Sequence, residues 1–128
     1  MEGSVAGVLT SAVAAADLKE ALETALASDH LTGEIIADNK HLPPTLLKLA
    51  YKCFGADRLC VVSDSTSGAG LADGEHFVMG DMEYYVKNGV GMMLDDSAFA
   101  GSVTMLNKMV SNLVSTVSVP LVDAIRMV

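Results

Sequence analysis

Patterns typical of a buried strand and of an amphipathic helix alternate in the middle of the chain. Glu34 to Asp38 is a short apolar run that ends in a carboxylate, and Arg58 to Val62 is a second run closed by Asp64. Between the runs, apolar residues recur at helical spacing as far as Gly55, which predicts a helix. These residues are Leu46, Leu49, Ala50, Cys53 and Phe54. The order of strand, helix and strand predicts one βαβ unit whose polar tips share an edge of a parallel sheet.

The following segment changes to a turn-rich pattern. Ser65 to Gly74 is small, polar and rich in glycine, and we expect a loop there. Asn88-Gly89 lies between apolar runs and predicts a β-hairpin. The three β-prone stretches of this region are His76–Met79, Met82–Val86 and Val90–Leu94.

Helical patterns occupy the C-terminal part and one segment near the start. Residues 99–102 are expected to lead into a long helix with an apolar stripe from Val103 to Val117. Ser118 to Pro120 interrupts that pattern, and a further helix is expected from Leu121 to Val128. Near the start, Asp17 to Ala27 has good helix formers with leucines on one face, which predicts a short amphipathic helix.

Length and charge narrow the classes of protein that the patterns allow. With 128 residues, 51% of them hydrophobic, the chain suffices for one domain, but a closed (β/α)8 barrel needs about 250 residues. The net charge of −8 and the lack of clustered cations argue against nucleic-acid partners and anionic membrane surfaces. No segment has the roughly 20 apolar residues of a membrane span. Cys53 and Cys60 are expected to be buried free thiols, and we expect a cytoplasmic location.

Two strand tips carry the residues most suited to chemistry. Asp64 follows the second strand, where α/β folds keep their active sites, and a carboxylate there can activate water or transfer a proton. His41, with Asp38, occupies the tip of the first strand. From spacing alone two alternatives remain open: Asp64 can cap a turn, and His41 can be a half-exposed histidine beside a helix start.

Longer motifs around these residues resemble a known family. The segments Glu34–Lys52 (EIIADNKHLPPTLLKLAYK) and Asp57–Gly74 (DRLCVVSDSTSGAGLADG) are similar to the seventh-strand and eighth-strand segments of N-acetylglucosamine-6-phosphate deacetylases. Asp96–Thr104 (DSAFAGSVT) is similar to the substrate loop of that family. The resemblance extends from residue 25 to residue 128, whereas residues 1–24 are unmatched. We therefore treat 1–128 as a single partial domain of the amidohydrolase superfamily.

The resemblance implies a fold, a reaction and site residues. The implied fold is a partial (β/α)8 TIM barrel, α/β in class, with strands seven and eight, their flanking helices and a β-hairpin excursion. The implied reaction is hydrolysis of N-acetylglucosamine 6-phosphate to glucosamine 6-phosphate and acetate, with Asp64 as the catalytic base and acid. Substrate contacts are implied for Asp38, Asn39, Lys40, His41, Phe99, Ala100 and Gly101.

Two of the departures from the family bear directly on the site. Asn39 stands where the family usually has glycine, although asparagine tolerates left-handed backbone better than most residues. The family also implies a divalent cofactor, zinc or iron, but its glutamate and two histidine ligands have no counterpart here, so no metal ligand is assigned.

Three interpretations therefore stand beside each other. The first is a piece of a metal-dependent deacetylase that acts on an amino-sugar phosphate. The second is a catalytically inactive barrel remnant that acts through self-association or partner binding, because an open half-barrel exposes strand edges and an apolar face. Either interpretation leads us to expect a homo-oligomer. The third, a generic small-ligand α/β module, leaves the motif similarity unexplained.

Overall fold

A parallel strand pair joined by a helix forms the first layer of the fold. The computed structural model describes residue 20 and residues 23–128. Strand β1 (Gly33–Ile35) pairs in parallel with β2 (Leu59–Val61), and helix α1 (Pro44–Phe54) connects them. The predicted βαβ unit is thereby confirmed. Both strands are shorter than predicted, with three residues each.

Helix α1 has the boundaries that its sequence favours. Pro44 lies in its first turn, where the missing N–H costs no hydrogen bond. Gly55 ends the helix at φ 68°, and its N–H donates to the Tyr51 carbonyl over 2.8 Å. Leu47 and Phe54 are buried against the strand pair, and Ala50 and Cys53 pack partly against the same core. The predicted apolar face is therefore correct only in part, because Leu46 and Leu49 are 41% and 43% exposed and Leu47, which the prediction left out, is buried.

The C-terminal helices cover the same face of the strand pair. Helix α2 (Leu106–Asn112) continues as a π-helical segment (Leu113–Val117), and α3 (Leu121–Arg126) follows. Near the chain end, the Val61 N–H donates to the Met127 carbonyl over 2.6 Å and fastens α3 to β2. The core consists of Ile35, Ala37, Leu47, Phe54, Leu59, Val61, Met109, Leu113, Val117, Val119, Ala124 and Met127. No helix in the described part of the chain is long and apolar enough to cross a membrane.

The predicted long helix is wrong at its start and irregular at its end. Residues 103–105 are not helical, since the strand Phe99–Ser102 directly precedes them and the Ser102 hydroxyl accepts a hydrogen bond from the Thr104 N–H. The π-helical segment then rotates the apolar stripe, so that Leu113 and Val117 are buried and Val114 is exposed. Ser118, in the left-handed region at φ 65°, ends it.

A four-stranded antiparallel sheet forms the second layer. Its strands, in sheet order, are β3 (His76–Met79), β4 (Met82–Lys87), β5 (Val90–Met93) and β6 (Phe99–Ser102). Asn88 and Gly89 both have positive φ, 54° and 73°, as a type I′ hairpin turn requires, so the predicted hairpin is confirmed. The sheet is larger than the predicted hairpin. The prediction missed β6, because Ala100 and Gly101 at its centre belong to residue types that are depleted in strands.

A backbone connection between the two layers helps to fix the relation of the strand tips. The segment after β2 pairs with the end of β6 at an isolated parallel bridge, Ser65 with Ser102. The Ser102 N–H donates to the Asp64 carbonyl over 2.9 Å, and the Thr66 N–H donates to the Ser102 carbonyl over 3.1 Å. The resulting fold is mixed α/β, with one parallel pair and one antiparallel sheet.

The N-terminal helix prediction is described only in part. Residues 23–27 are helical, and Ala25 and Leu26 pack on the core. Residues 1–19 and 21–22 lie outside the described residues, and they include most of the segment 1–24 that the family resemblance left unmatched.

Candidate active site

A tight turn follows β1 and is organised by a buried carboxylate. Asp38 is 4% exposed, and its Oδ1 accepts the Lys40 N–H over 2.8 Å and the His41 N–H over 2.9 Å. This is the turn that an aspartate builds with its own backbone. Asn39 has φ 62°, in the left-handed region that asparagine tolerates. The turn therefore forms with Asn39 in place of the family's usual glycine.

The second oxygen of that carboxylate holds the His41 ring. Asp38 Oδ2 lies 2.7 Å from His41 Nδ1. Burial disfavours the charged carboxyl, but the hydrogen bonds from the His41 ring and from the His41 and Lys40 N–H groups outweigh it and hold the pKa of Asp38 below 3.8. An ionised carboxylate only accepts hydrogen bonds, so Nδ1 carries a proton and Nε2 remains for other partners.

Phe99 brings the predicted substrate loop against this histidine. The rings of His41 and Phe99 meet edge to face, with centroids 5.2 Å apart and an interplanar angle of 71°. Phe99 is 49% exposed, so one part of its ring is open to a ligand. Ala100 is buried, and its backbone packs against Gly91 of β5. Ala100 therefore fixes the loop on the sheet, while Phe99 borders the open space.

Asp64 lies beside the other end of the same loop. It has φ 44°, and its residue is exposed. Gly101, at φ 70°, lies so close that a Cβ built on it would be 3.4 Å from Asp64 Oδ2 and 3.0 Å from the Asp64 carbonyl oxygen. Phe99 to Gly101 thus connects the two strand tips, with His41 at one end and Asp64 at the other.

Comparison with known proteins decides which family this arrangement belongs to. No protein-family model matches the sequence. An N-acetylglucosamine-6-phosphate deacetylase of Haemophilus influenzae is 36% identical over 103 residues, which are 80% of this chain and 26% of that protein. One of Bacillus subtilis is 36% identical over 85 residues, 66% of this chain and 21% of that protein.

The chain is homologous to N-acetylglucosamine-6-phosphate deacetylases. Its fold agrees: it superposes on the deacetylase of Thermotoga maritima with a TM-score of 0.73 at 32% identity, covering 81% of this chain and 28% of that one. The chain thus spans about a quarter of the length of the relatives it matches. Those relatives are hydrolases.

Two members of the predicted deacetylase site point away from the gap between His41 and Asp64. The Asn39 amide faces the π-helical segment, with its Nδ2 3.3 Å from Thr116 Oγ1. Lys40 is exposed, and its Cε lies 3.8 Å from a Cβ built on Gly89, at the β4–β5 turn. A role of Lys40 in substrate binding therefore requires its long side chain to swing from that turn.

Two buried polar residues of this site are absent from the sequence-based assignment. Among the described residues, the buried polar side chains are those of Asp38, Ser102 and Asn112. Ser102 Oγ donates to Asp38 Oδ2 over 3.1 Å, and Asn112 Nδ2 donates to the Ala37 carbonyl over 3.0 Å. Burying a polar group is costly unless it is hydrogen-bonded. These three buried polar residues therefore meet at the turn after β1 and satisfy each other or the backbone there. Their clustering marks the turn as a candidate site, but it is visible only in the folded chain.

The described residues do not provide a metal site. No group of three or more His, Cys, Asp or Glu side chains within residue 20 and residues 23–128 is arranged to hold an ion. Asp38 and His41 are committed to each other, which leaves Asp64 as a lone carboxylate at the open side. The donors present do not fit a resident zinc or iron ion.

Proposed function

We propose that this chain supplies the substrate-binding and proton-transfer part of an enzyme that hydrolyses N-acetylglucosamine 6-phosphate to glucosamine 6-phosphate and acetate. The observation that carries the proposal is the joining of two parallel strand tips, Asp38–His41 and Asp64, by one loop, Phe99–Gly101. Similarity to deacetylases in sequence and fold supports the choice of substrate class.

We further assign β1 and β2 to strands seven and eight of a (β/α)8 barrel. Their parallel pairing and the α1 crossover support this assignment, since barrel active sites lie at the carboxyl ends of the strands. The antiparallel sheet of β3 to β6 is then an excursion after strand eight that returns the substrate loop to the site.

In this proposal Asp64 carries the proton transfers. Its exposed carboxylate takes a proton from the attacking water and returns it to the amine, which leaves poorly unless protonated. His41 orients the acetamide through Nε2, because Asp38 occupies Nδ1. Phe99 offers an apolar ring edge to the sugar, and Gly101 keeps the approach to Asp64 open.

The zinc or iron ion implied by the family would polarise the amide, but the described residues do not include a group of donors that fits it. We also propose a cytoplasmic location, for which the free cysteines Cys53 and Cys60 are the support.

The proposal is tested by transplanting the segment. Residues 25–128 replace the matching segment of the Haemophilus influenzae relative, and acetate release from N-acetylglucosamine 6-phosphate is measured with the metal present. Deacetylase activity in the chimera, lost again with Asp64→Asn, is the expected result. A chimera that folds and binds metal like the parent enzyme but releases no acetate would refute the proposal.

A second candidate, an inactive remnant that acts through self-association, is favoured by an apolar surface. On α3, Leu121, Val122 and Ile125 are 56%, 72% and 60% exposed. Exposed apolar patches mark interfaces. We expect the chain to be dimeric or larger at micromolar concentration, with Val122→Lys weakening the association. A well-folded monomer in sedimentation equilibrium would refute this candidate.

A further inference from the structure

The hydrogen bonds of Asp38 leave no acceptor position free. Oδ1 accepts two backbone N–H groups, and Oδ2 accepts the His41 ring and the Ser102 hydroxyl. A carboxylate has about four lone-pair positions, so all are used. The Asp38 side chain is 0% exposed, which leaves no opening for water to replace a lost donor.

Ser102 is itself held by hydrogen bonds of its hydroxyl and of its backbone. Its Oγ accepts the Thr104 N–H over 3.1 Å, and its hydrogen is therefore directed to Asp38. Its backbone N–H and carbonyl are bound to Asp64 and Thr66 after β2. Ser102 is 0% exposed, so this geometry is enclosed by protein. The residue thus links the tip of β2 with the carboxylate behind His41.

We propose that Ser102 is a positioning residue of this site: its hydroxyl aims Asp38 at Nδ1 of His41, so that the ring presents Nε2 to the open side. Its consequence for catalysis rests on the proposed function, but the geometry does not. With alanine at this position, Oδ2 keeps one donor instead of two. Fewer hydrogen bonds then stabilise the buried charge of Asp38. The Asp38 carboxylate and the His41 ring that it holds are less firmly oriented.

The test uses NMR on the whole 128-residue chain. Ring ¹⁵N shifts across a pH series report the tautomer of each neutral histidine, and His41→Asn assigns the His41 signals among the three histidines. We expect the Nδ1–H tautomer for His41. Ser102→Ala should raise the pKa of the Asp38 carboxyl, followed by ¹³C shifts, by about 1 to 2. It should also weaken the His41–Phe99 ring cross-peaks.

Ser67→Ala is the matched control, because it removes a hydroxyl that donates to the Val78 carbonyl, outside the Asp38–His41 pair. It should leave the tautomer, the Asp38 pKa and the ring cross-peaks unchanged. If Ser102→Ala does not fold, Ser102→Cys keeps nearly the same volume with a weaker donor, and the same directions are expected.

Three outcomes overturn the proposal. They are an Nε2–H tautomer of His41 in the unaltered chain, an Asp38 pKa that Ser102→Ala leaves unchanged, and ring cross-peaks that persist at full strength in that variant. These readouts do not depend on deacetylase activity. A chimera that folds and binds metal like the parent enzyme but is inactive therefore refutes the proposed function alone, while a negative NMR result refutes only the role of Ser102.

Discussion

Gly101→Ala tests the close approach of the substrate loop to Asp64. The new Cβ would lie 2.5 Å from Thr66 Cγ2 and 3.0 Å from the Asp64 carbonyl oxygen, at a backbone φ of 70°. Left-handed backbone costs an L-residue about 1–2 kcal/mol, and an extra methyl in a packed site about 1–3 kcal/mol. Gly101→Ala should therefore lower the free energy of unfolding by about 2–5 kcal/mol.

A second substitution tests the contact with Thr66. Thr66→Ser removes the methyl that the new Cβ would strike but does not change the backbone at residue 101. In that background, Gly101→Ala should cost less, because the contact with Thr66 Cγ2 is gone while the left-handed backbone and the 3.0 Å approach to the Asp64 carbonyl oxygen remain. Urea unfolding, followed by circular dichroism, gives the free energies of unfolding of the unaltered chain, the two single variants and the double variant, which form a double-mutant cycle. An equal cost in both backgrounds, or a cost near zero in the unaltered one, would show that the loop does not make this contact.

Three further predictions concern Asp64, Asp38 and Arg58. In the deacetylase chimera, Asp64→Asn should lower kcat by about 10²–10⁴-fold without changing the melting temperature. If the variant keeps more than about a tenth of the activity, Asp64 only caps a turn. Because the pKa of Asp38 is lower in the folded chain than the ordinary 3.8, its ionised carboxylate stabilises the fold above pH 3.8, and this stabilisation is lost as the pH falls through the pKa of the folded state. The urea midpoint of the unaltered chain should therefore fall in that acidic range. The midpoint of Asp38→Asn should fall less. Arg58 Nη atoms donate to the Ser28, Leu31 and Cys53 carbonyls; Arg58→Met should cost about 1–3 kcal/mol in urea unfolding. The exposed ion pair removed by Arg126→Met should cost less than about 1 kcal/mol, and equal costs would contradict the role of Arg58.

The local part of the fold could be predicted from the sequence because its signals are local. The helical spacing from Leu46 to Phe54 and the glycine that follows are sufficient to define α1. Asn88-Gly89 similarly defines a hairpin turn, since few residues accept positive φ at both positions. Asp38 and Asp64 were identified because each follows an apolar run, and parallel pairing places the ends of such runs at one edge.

The missed features depend on contacts between distant residues. β6 is a strand because it pairs with β5 and with the segment after β2, and its own sequence FAGS has weak strand preference. Ser102 and Asn112 reach partners 64 and 75 residues away, so no window along the sequence contains both ends of either hydrogen bond. The π-helical turn at Leu113–Val117 likewise has no local signal that we can identify.

Backbone strain is the property that unites the site with the missed contacts. Asn39 and Asp64, which carry the two strand tips, both have positive φ. Such conformations persist only where the surroundings enforce them, and they are enriched at functional sites. Here the enforcing groups are the Asp38 carboxylate for the first tip and the Ser102 N–H for the second. Because Ser102 also donates to Asp38, one buried serine restrains both strained tips, and together with the parallel pairing of β1 and β2 it fixes the relative placement of His41 and Asp64.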